Sequence, residues 1–115
     1  MIFDTDVLIS ALRGNPGAAR TIDAAADRAI SIVSLMELLK GARSKLEALR
    51  IRQSLRQLQF RILPLSEPIG AGAAAIIEKH AHSHGIQLAD ALIAATAIQA
   101  GDFLCTGKYQ TLPAR

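Results

Sequence analysis

Short runs of strand-forming residues alternate along the chain with longer helical patterns, and this alternation constrains the fold more than any other feature. It predicts strands over residues 1–5, 29–33, 61–65 and 102–106. It predicts helices over residues 7–13, 16–28, 34–43, 45–59, 67–84 and 88–100. Strands joined by helical crossovers pair in parallel. We therefore expect an α/β fold, with three α/β/α layers around a mostly parallel sheet of about four short strands.

Length and composition narrow the class of protein. The 115 residues suit a single domain, which we assign to residues 1–115. The one cysteine, Cys105, cannot form an internal disulfide, in keeping with a reducing compartment. No apolar stretch is long enough to span a bilayer, and no signal peptide is visible. We expect a soluble cytoplasmic protein that does not associate with membranes.

The chain carries an excess of positive charge that is concentrated in one stretch. The net charge is +3, and the basic residues of this stretch are Lys40, Arg43, Lys45, Arg50, Arg52, Arg56 and Arg61. The excess indicates either an ordinary solvated helix face or a surface that follows the phosphates of a nucleic acid, and the two are compatible. On the second interpretation, Lys40, Arg43, Lys45 and Arg50 would contact the nucleic acid.

Several polar residues fall where a parallel sheet places its ligand sites. Asp4 lies near the end of the first predicted strand, Glu37 follows the second, and Asp90 lies in the first turn of the last helix. Thr106 ends the last strand. Ligands of such sheets bind beyond the carboxyl ends of the strands, so these side chains can converge there. Asp102 begins its strand and should lie at the opposite edge.

Converging carboxylates in apolar surroundings predict a metal site. They repel one another, and each is costly to bury without a partner. A divalent cation removes both costs, and Mg²⁺ and Mn²⁺ prefer oxygen ligands. Such a metal can generate a nucleophilic water and stabilise the charge that develops on a phosphodiester. Asp4, Glu37 and Asp90 are the candidate metal ligands and catalytic residues.

Each of these acids also has a purely structural interpretation. Asp6 could be the N-cap of the first helix. Glu37 follows Ser34 by three residues, which is the spacing of a capping box. Asp90 could interact with a helix dipole, although its apolar sequence neighbours predict that it is enclosed. Asp4 gains nothing obvious from ending a buried strand.

Three segments follow one another in an informative order: DTDVLI at residues 4–9, SLMELLKGA at 34–42 and LADALIAATA at 88–97. Together they resemble the PIN-domain family, specifically the VapC-type ribonuclease toxins of toxin–antitoxin pairs. The resemblance covers essentially the whole chain. It implies an acidic cluster that binds Mg²⁺ or Mn²⁺ and cleaves RNA, often transfer RNA. It also implies a homodimer that is inhibited by a small antitoxin protein.

By position, the resemblance implies metal ligands and supporting residues. The three main acidic positions of the family match Asp4, Glu37 and Asp90. The supporting residues are Asp6, which matches a polar position beside the first acid, Thr106, which matches a threonine or serine after the last strand, and Thr5. The family pattern places a fourth acid shortly after that threonine, whereas residues 107–115 contain none. This departure could weaken a second metal position.

Three functions follow from these observations. The first is an Mg²⁺-dependent endoribonuclease toxin that cleaves phosphodiesters with metal-activated water. The second, motivated by the missing acid, is a PIN-like scaffold that binds RNA or an antitoxin without cleavage. The third arises because Asp4-x-Asp6 resembles the first motif of haloacid-dehalogenase-type phosphatases. The later acidic pair that those enzymes need is missing from this sequence.

Overall fold

The computed structural model of the chain describes residues 1–80, 85–107 and 110–112, and it has the predicted three-layer α/β/α architecture. The elements in chain order are β1 (Ile2–Phe3), α1 (Thr5–Leu12), α2 (Pro16–Ala24), β2 (Arg28–Ser31), α3 (Ile32–Lys40), α4 (Lys45–Gln57), β3 (Phe60–Leu63), α5 (Glu67–His80), α6 (Leu88–Ala100), β4 (Leu104–Thr106) and β5 (Gln110–Leu112).

The five described strands form one sheet in the spatial order β3-β2-β1-β4-β5. The first four run parallel, with β1 in the centre between β2 and β4. The fifth, β5, is antiparallel to β4 and places Gln110 opposite Thr106. The mostly parallel sheet is thus confirmed, and the structure adds a strand that the sequence did not predict.

Alternate residues of each strand face opposite layers of the domain. On one face, Ile2 and Leu104 pack with Ile93 of α6 in a buried cluster. On the other face, Phe3 and Cys105 join a larger cluster formed with α1, α2, α3 and α4. A smaller cluster fastens α5 to α6. The central strand is therefore covered on both sides, which leaves only its ends for chemistry.

Phe3 anchors the end of the central strand. Its side chain is fully buried and meets Phe60 edge to face, with ring centroids 5.6 Å apart and an interplanar angle of 81°. Burial of a side chain of this size contributes about 2–3 kcal/mol, and the aromatic pair adds roughly 1 kcal/mol. The chain therefore leaves the sheet after Phe3 from a rigid base.

The strands at this edge pass into helices almost without a loop. Ser31 is both the last residue of β2 and the N-cap of α3, where its Oγ accepts a hydrogen bond from the N–H of Val33 at 3.1 Å. A single residue, Asp4, separates β1 from α1. The first strand, predicted over residues 1–5, therefore ends at Phe3, and the helix predicted to begin at residue 34 begins at Ile32. At Ser31 the N-cap begins the helix before the apolar run of the strand is complete, and at Asp4 the helix begins directly after that run ends.

The second helix begins as predicted and ends early. The side chain of Asn15 caps it by accepting a hydrogen bond from the N–H of Ala18 at 3.0 Å. The helix ends at Ala24 rather than near residue 28, because Arg28 already belongs to β2. The Arg28 guanidinium donates to the carbonyl oxygen of Leu58 at 2.8 Å, which ties the start of β2 to the end of α4.

The last two helices, α5 and α6, begin at the predicted residues. Residues 81–84, where the predicted helix over 67–84 would end, lie outside the described residues. The bounds of α6 are those predicted, but its burial is not uniform, since Leu88 is 67% exposed and Ile98 is 42% exposed. Within the described ranges, no helix combines the length and the apolar character that a membrane span requires.

Candidate active site

Asp4 lies at the carboxyl end of β1, in the joint between that strand and α1. Its backbone N–H donates to the carbonyl oxygen of Cys105 in β4 at 2.9 Å, which ties the residue to the sheet. Its φ of −70° and ψ of 157° are those of a helix N-cap, yet its carboxylate makes no capping hydrogen bond. The side chain is half-buried and remains available to a ligand.

Asp6 lies one residue further on, in the first turn of α1, and is exposed. The interpretation of Asp6 as the N-cap is wrong, because Asp4 occupies that position. The charge of Asp6 nevertheless acts on the site, since it raises the pKa values of both Asp4 and Asp90. Asp6 therefore belongs electrostatically to the same group of carboxylates.

Glu37 projects from the middle of α3 and makes a tertiary contact with α1. Its Oε1 accepts a hydrogen bond of 2.6 Å from the hydroxyl of Thr5. The capping-box interpretation of Ser34 and Glu37 is wrong, because the N-cap of α3 is Ser31 and Ser34 lies inside the helix. Ser34 is instead fully buried, with its Oγ 3.0 Å from Thr5 Oγ1. A buried pair of hydroxyls thus stands behind the Glu37 carboxylate.

Asp90 occupies the first turn of α6 and faces solvent, so the prediction that its apolar neighbours enclose it is wrong. Ala91 and Ile93 turn toward the core, while Asp90 does not, and Leu88 is itself largely exposed. The pKa of Asp90 is raised, first by the partial desolvation of its carboxyl and then by the negative charges of Glu37 and Asp6. Its charge therefore interacts with acids on two other helices.

The four carboxylates destabilise one another's charge. The pKa of Asp4 is raised, chiefly by burial and then by the charges of Asp6, Asp90 and Glu37, while the neighbouring backbone N–H of Thr5 lowers it. The ion pairs found in the described part of the chain involve other acids. The predicted convergence at this sheet edge is therefore visible as mutual repulsion, without a pairing cation among the described residues.

Thr106 is the last residue of β4 and is half-buried at the same edge of the sheet. It pairs across the sheet with Gln110 of β5. Asp102 lies at the other edge, as predicted, where it forms an ion pair of 2.9 Å with the amino group of Met1. The two ends of β4 therefore carry polar groups with different surroundings.

The donor set suits a hard divalent cation. Carboxylates that repel one another gain most from a shared positive charge, and oxygen is the ligand that Mg²⁺ and Mn²⁺ prefer. Among the described residues, no three His, Cys, Asp or Glu side chains lie close enough together to bind one ion directly. Mg²⁺ is usually bound by one or two carboxylates and several waters, so this spacing suits ligands that act partly through water.

An open groove of about 630 Å³ begins beside Glu37 and runs between α1, α3 and α4. Its floor is aliphatic, and the residues around it are Ile9, Leu12, Arg13, Glu37, Leu38, Gly41, Arg43, Glu47, Arg50, Ile51 and Ser54. Arg13 was missed from the sequence, because it stands alone, far from the basic stretch. Its position at the end of α1 brings it to the groove only after folding.

The predicted nucleic-acid-binding residues are all exposed, and two of the four line the groove. Arg43 and Arg50 line the groove, whereas Lys40 and Lys45 do not. Arg43 also forms an exposed ion pair with Glu47 at 3.5 Å. Arg52 and Arg56 face a separate cavity of about 150 Å³ on another side of α4. The basic stretch thus divides between two faces of the molecule.

Comparison with known proteins identifies a family. The family model described as the PIN domain matches residues 1–106. A structure described as a toxin–antitoxin complex from Klebsiella pneumoniae is 30% identical, with a TM-score of 0.78, covering 91% of this chain and 83% of that one. The crystal structure of FitAcB from Neisseria gonorrhoeae is also 30% identical, with a TM-score of 0.74, covering 94% and 89%.

A third structure shows the fold alone at lower identity. The crystal structure of VapBC2 from Rickettsia felis, bound to a DNA fragment from its promoter, is 23% identical with a TM-score of 0.76. The match covers 92% of this chain and 87% of that one. No curated protein matches the sequence significantly.

Proposed function

The chain belongs to the PIN-domain family, and from this premise we propose that it is a metal-dependent endoribonuclease, the toxin of a type II toxin–antitoxin pair. The observation that carries the proposal is the group of four carboxylates at one sheet edge. The pKa of Asp4 is raised chiefly by burial and further by the charges of the other three, and the described residues pair no cation with the group. Such an arrangement is unfavourable for stability alone and favourable for binding a cation.

We propose that Asp4, Glu37 and Asp90 hold Mg²⁺ or Mn²⁺ directly or through water. The cation, when bound, supplies a water of lowered pKa and stabilises charge on the phosphodiester. Asp4 contributes from a backbone fixed to β4, and Asp6 adds negative charge beside it. Thr106 supports the site as a hydroxyl at the end of the neighbouring strand.

We propose RNA as the substrate, transfer RNA included, bound partly along the groove beside Glu37. Arg13, Arg43 and Arg50 around this groove would contact phosphates that flank the scissile one. None of the described residues that line the groove is aromatic, so binding should depend on phosphate contacts more than on base stacking. Lys40 and Lys45 would contribute to longer-range attraction only.

We propose a small antitoxin protein as the partner of this chain. The support is that the structure from Klebsiella pneumoniae, 30% identical, is described as a toxin–antitoxin complex. The homodimer that the resemblance implies and the cytoplasmic location expected from the composition stay predictions.

A second function keeps its own support. Residues 107–115 contain no acid, and the described acids do not form a preassembled set of three ligands. Both features fit a PIN scaffold that binds RNA or an antitoxin without cleaving. The phosphatase alternative is abandoned, because the family model that matches is that of the PIN domain.

The experiment that separates these functions is cleavage of a mixed RNA pool by the purified protein, with Mg²⁺, with Mn²⁺ or with a chelator. Asp4→Asn is compared with Asp23→Asn, an exposed aspartate on α2 that serves as the matched control. We expect metal-dependent cleavage that Asp4→Asn abolishes and Asp23→Asn retains. A folded protein that binds RNA but cleaves none under either metal would favour the scaffold instead.

A further inference from the structure

Two buried hydroxyls connect α1 to α3 directly behind the candidate metal site. Thr5 is 5% exposed and Ser34 is fully buried, whereas Glu37 faces solvent. Thr5 Oγ1 lies 2.6 Å from Glu37 Oε1 and 3.0 Å from Ser34 Oγ. The three residues form a chain of hydrogen bonds that leads from the core to the carboxylate and joins positions about 30 residues apart in sequence.

The order of donors in this chain follows from the number of protons. A hydroxyl has one proton, and a carboxylate can only accept. The proton of Thr5 is therefore donated to Glu37, and the contact between the two hydroxyls uses the proton of Ser34. Hydrogen bonds to a charged acceptor are the stronger kind, and the length of 2.6 Å fits that class.

Packing alone does not account for these hydroxyls. A valine has the shape of threonine and would fill the same space without a hydroxyl that needs a partner when buried. The other fully buried threonine in the described residues, Thr96, satisfies its hydroxyl locally, on the carbonyl oxygen of Leu92 at 2.7 Å. Thr5 instead directs its proton at a side chain on another helix, which fixes where one oxygen of Glu37 can lie.

We propose that Thr5 and Ser34 are positioning residues, which fix the orientation of the Glu37 carboxylate that would hold a divalent cation together with Asp4. The inference rests on the proposed function, since it assumes that Glu37 is a ligand. Ser34 orients the Thr5 hydroxyl, and Thr5 leaves the second oxygen of Glu37 free for the cation or its water. Both hydroxyls would act through Glu37 and not as ligands themselves.

The test measures binding of Mn²⁺ alone by isothermal titration to the full chain, beside thermal unfolding of each variant. Thr5→Val should weaken Mn²⁺ binding by about tenfold, the lower end of what loss of an outer-shell partner costs. Thr5→Ser keeps the donor and should stay within about threefold of the wild type. Ser34→Ala should give an intermediate loss, because Thr5 can still donate to Glu37.

Thr96→Val is the matched control, because it makes the same change at a buried threonine whose hydroxyl bonds only to its own helix. It should leave Mn²⁺ affinity unchanged whatever it does to stability. Equal losses of affinity in Thr5→Val and Thr96→Val would overturn the inference, and so would a Thr5→Ser variant as weak as Thr5→Val. If Thr5→Val does not fold, Thr5→Ala replaces it with the same expected loss.

Asp4→Asn separates this inference from the proposed function. If Asp4→Asn loses Mn²⁺ binding while Thr5→Val keeps it, the metal site stands and the positioning role is overturned. If the wild type binds no Mn²⁺, both the proposed function and the inference are overturned.

Discussion

Aspartates lie at both edges of the sheet, and the molecule treats the two edges in opposite ways. At the edge where the strands begin, Asp27 accepts two hydrogen bonds from Arg61, at 3.0 and 2.8 Å, and Asp102 pairs with the amino group of Met1. The pKa values of both acids are lowered, chiefly by these hydrogen bonds. At the edge where the strands end, the pKa values of Asp4 and Asp90 are raised, chiefly by burial.

The difference separates acids that pair with cationic groups of the chain itself from acids that, on our proposal, bind a ligand. A paired aspartate at the protein surface adds little to stability and removes nothing from it. A group of unpaired carboxylates that repel one another lowers stability until a cation arrives. The same residue type therefore has a structural role at one edge and, on our proposal, a chemical role at the other.

The largest effect should come from removing one unpaired acid. Asp4→Asn should lower RNA cleavage by more than about 100-fold, since even an outer-shell partner of a metal is worth 10–100-fold. Binding of RNA should persist, because it rests on basic residues elsewhere. Without metal, the variant should unfold at a higher temperature than the wild type, because one repelling charge is gone. A metal-free variant that is less stable than the wild type would contradict the assignment of this edge.

The second effect is a pH dependence whose sign should differ between the two edges. The pKa values of Asp4 and Asp90 are raised above the ordinary 3.8, so above that pH the folded metal-free protein binds more protons than the unfolded chain. Their contribution to stability is present at low pH and is lost as the pH rises through the raised values. Cation binding needs deprotonated ligands. As the pH falls, Mn²⁺ affinity should therefore fall by up to about tenfold per pH unit for each proton that the ligands take up.

The other edge should respond in the opposite sense. The pKa values of Asp27 and Asp102 are lowered below 3.8. Their contribution to the stability of the fold is therefore present above that pH and is lost as the pH falls through the lowered values. Mn²⁺ titrations and thermal unfolding of the metal-free protein over a pH series measure the two responses separately. Mn²⁺ affinity that does not change with pH would count against carboxylate ligands.

A smaller effect should distinguish the two sides of α4. Arg50→Gln, tested in the Asp4→Asn background so that RNA is not consumed, should weaken RNA binding a few-fold. It should also reduce the slope of log affinity against log salt by about 0.7, the value for one phosphate contact on a single strand. Arg56→Gln makes the same change on the side of the helix that faces away from the groove, and it should leave the slope unchanged. Equal changes in both variants would show that net charge, and not the groove, attracts RNA.

The smallest effect is expected at the paired edge. Asp27→Asn removes one partner of the Arg61 ion pair at the molecular surface, far from the strand ends that carry the candidate ligands. Cleavage and Mn²⁺ affinity should match the wild type, with at most a slight fall in the unfolding temperature. A clear loss of cleavage would mean that the two edges are coupled and that their separation is wrong.

Much of the fold follows from the sequence, because helical and strand patterns alternate clearly. The bounds of α6 are predicted correctly, since Gly101 at φ 63° ends the helix in a conformation that suits glycine. The strand β5 was missed because it has no apolar run of its own and forms by pairing with β4. The boundaries near Asp4 and Ser31 moved because a cap can replace the last residue of a strand.

The candidate site was predictable in its location and not in its contacts. The rule that ligands lie beyond the strand ends brought Asp4, Glu37 and Asp90 together, and their charges do interact. Their role as metal ligands stays a prediction. Local spacing gave Glu37 a false partner in a capping box, because its true partner Thr5 lies 32 residues away. A hydrogen bond between helices leaves no signal in local sequence spacing.

At the carboxyl ends of β1 and β2, the joint between the strand and the next helix contains at most one residue. This short connection decides which mutations such a site can tolerate. One extra residue between Ser31 and Ile32 would rotate α3 by about 100° and shift it by roughly 1.5 Å, which would carry Glu37 away from Thr5. A substitution at the same place changes one side chain and leaves the spacing intact. A change in the number of residues at these joints should therefore disrupt the site, whereas a change in length should be better tolerated in residues 41–44, between α3 and α4.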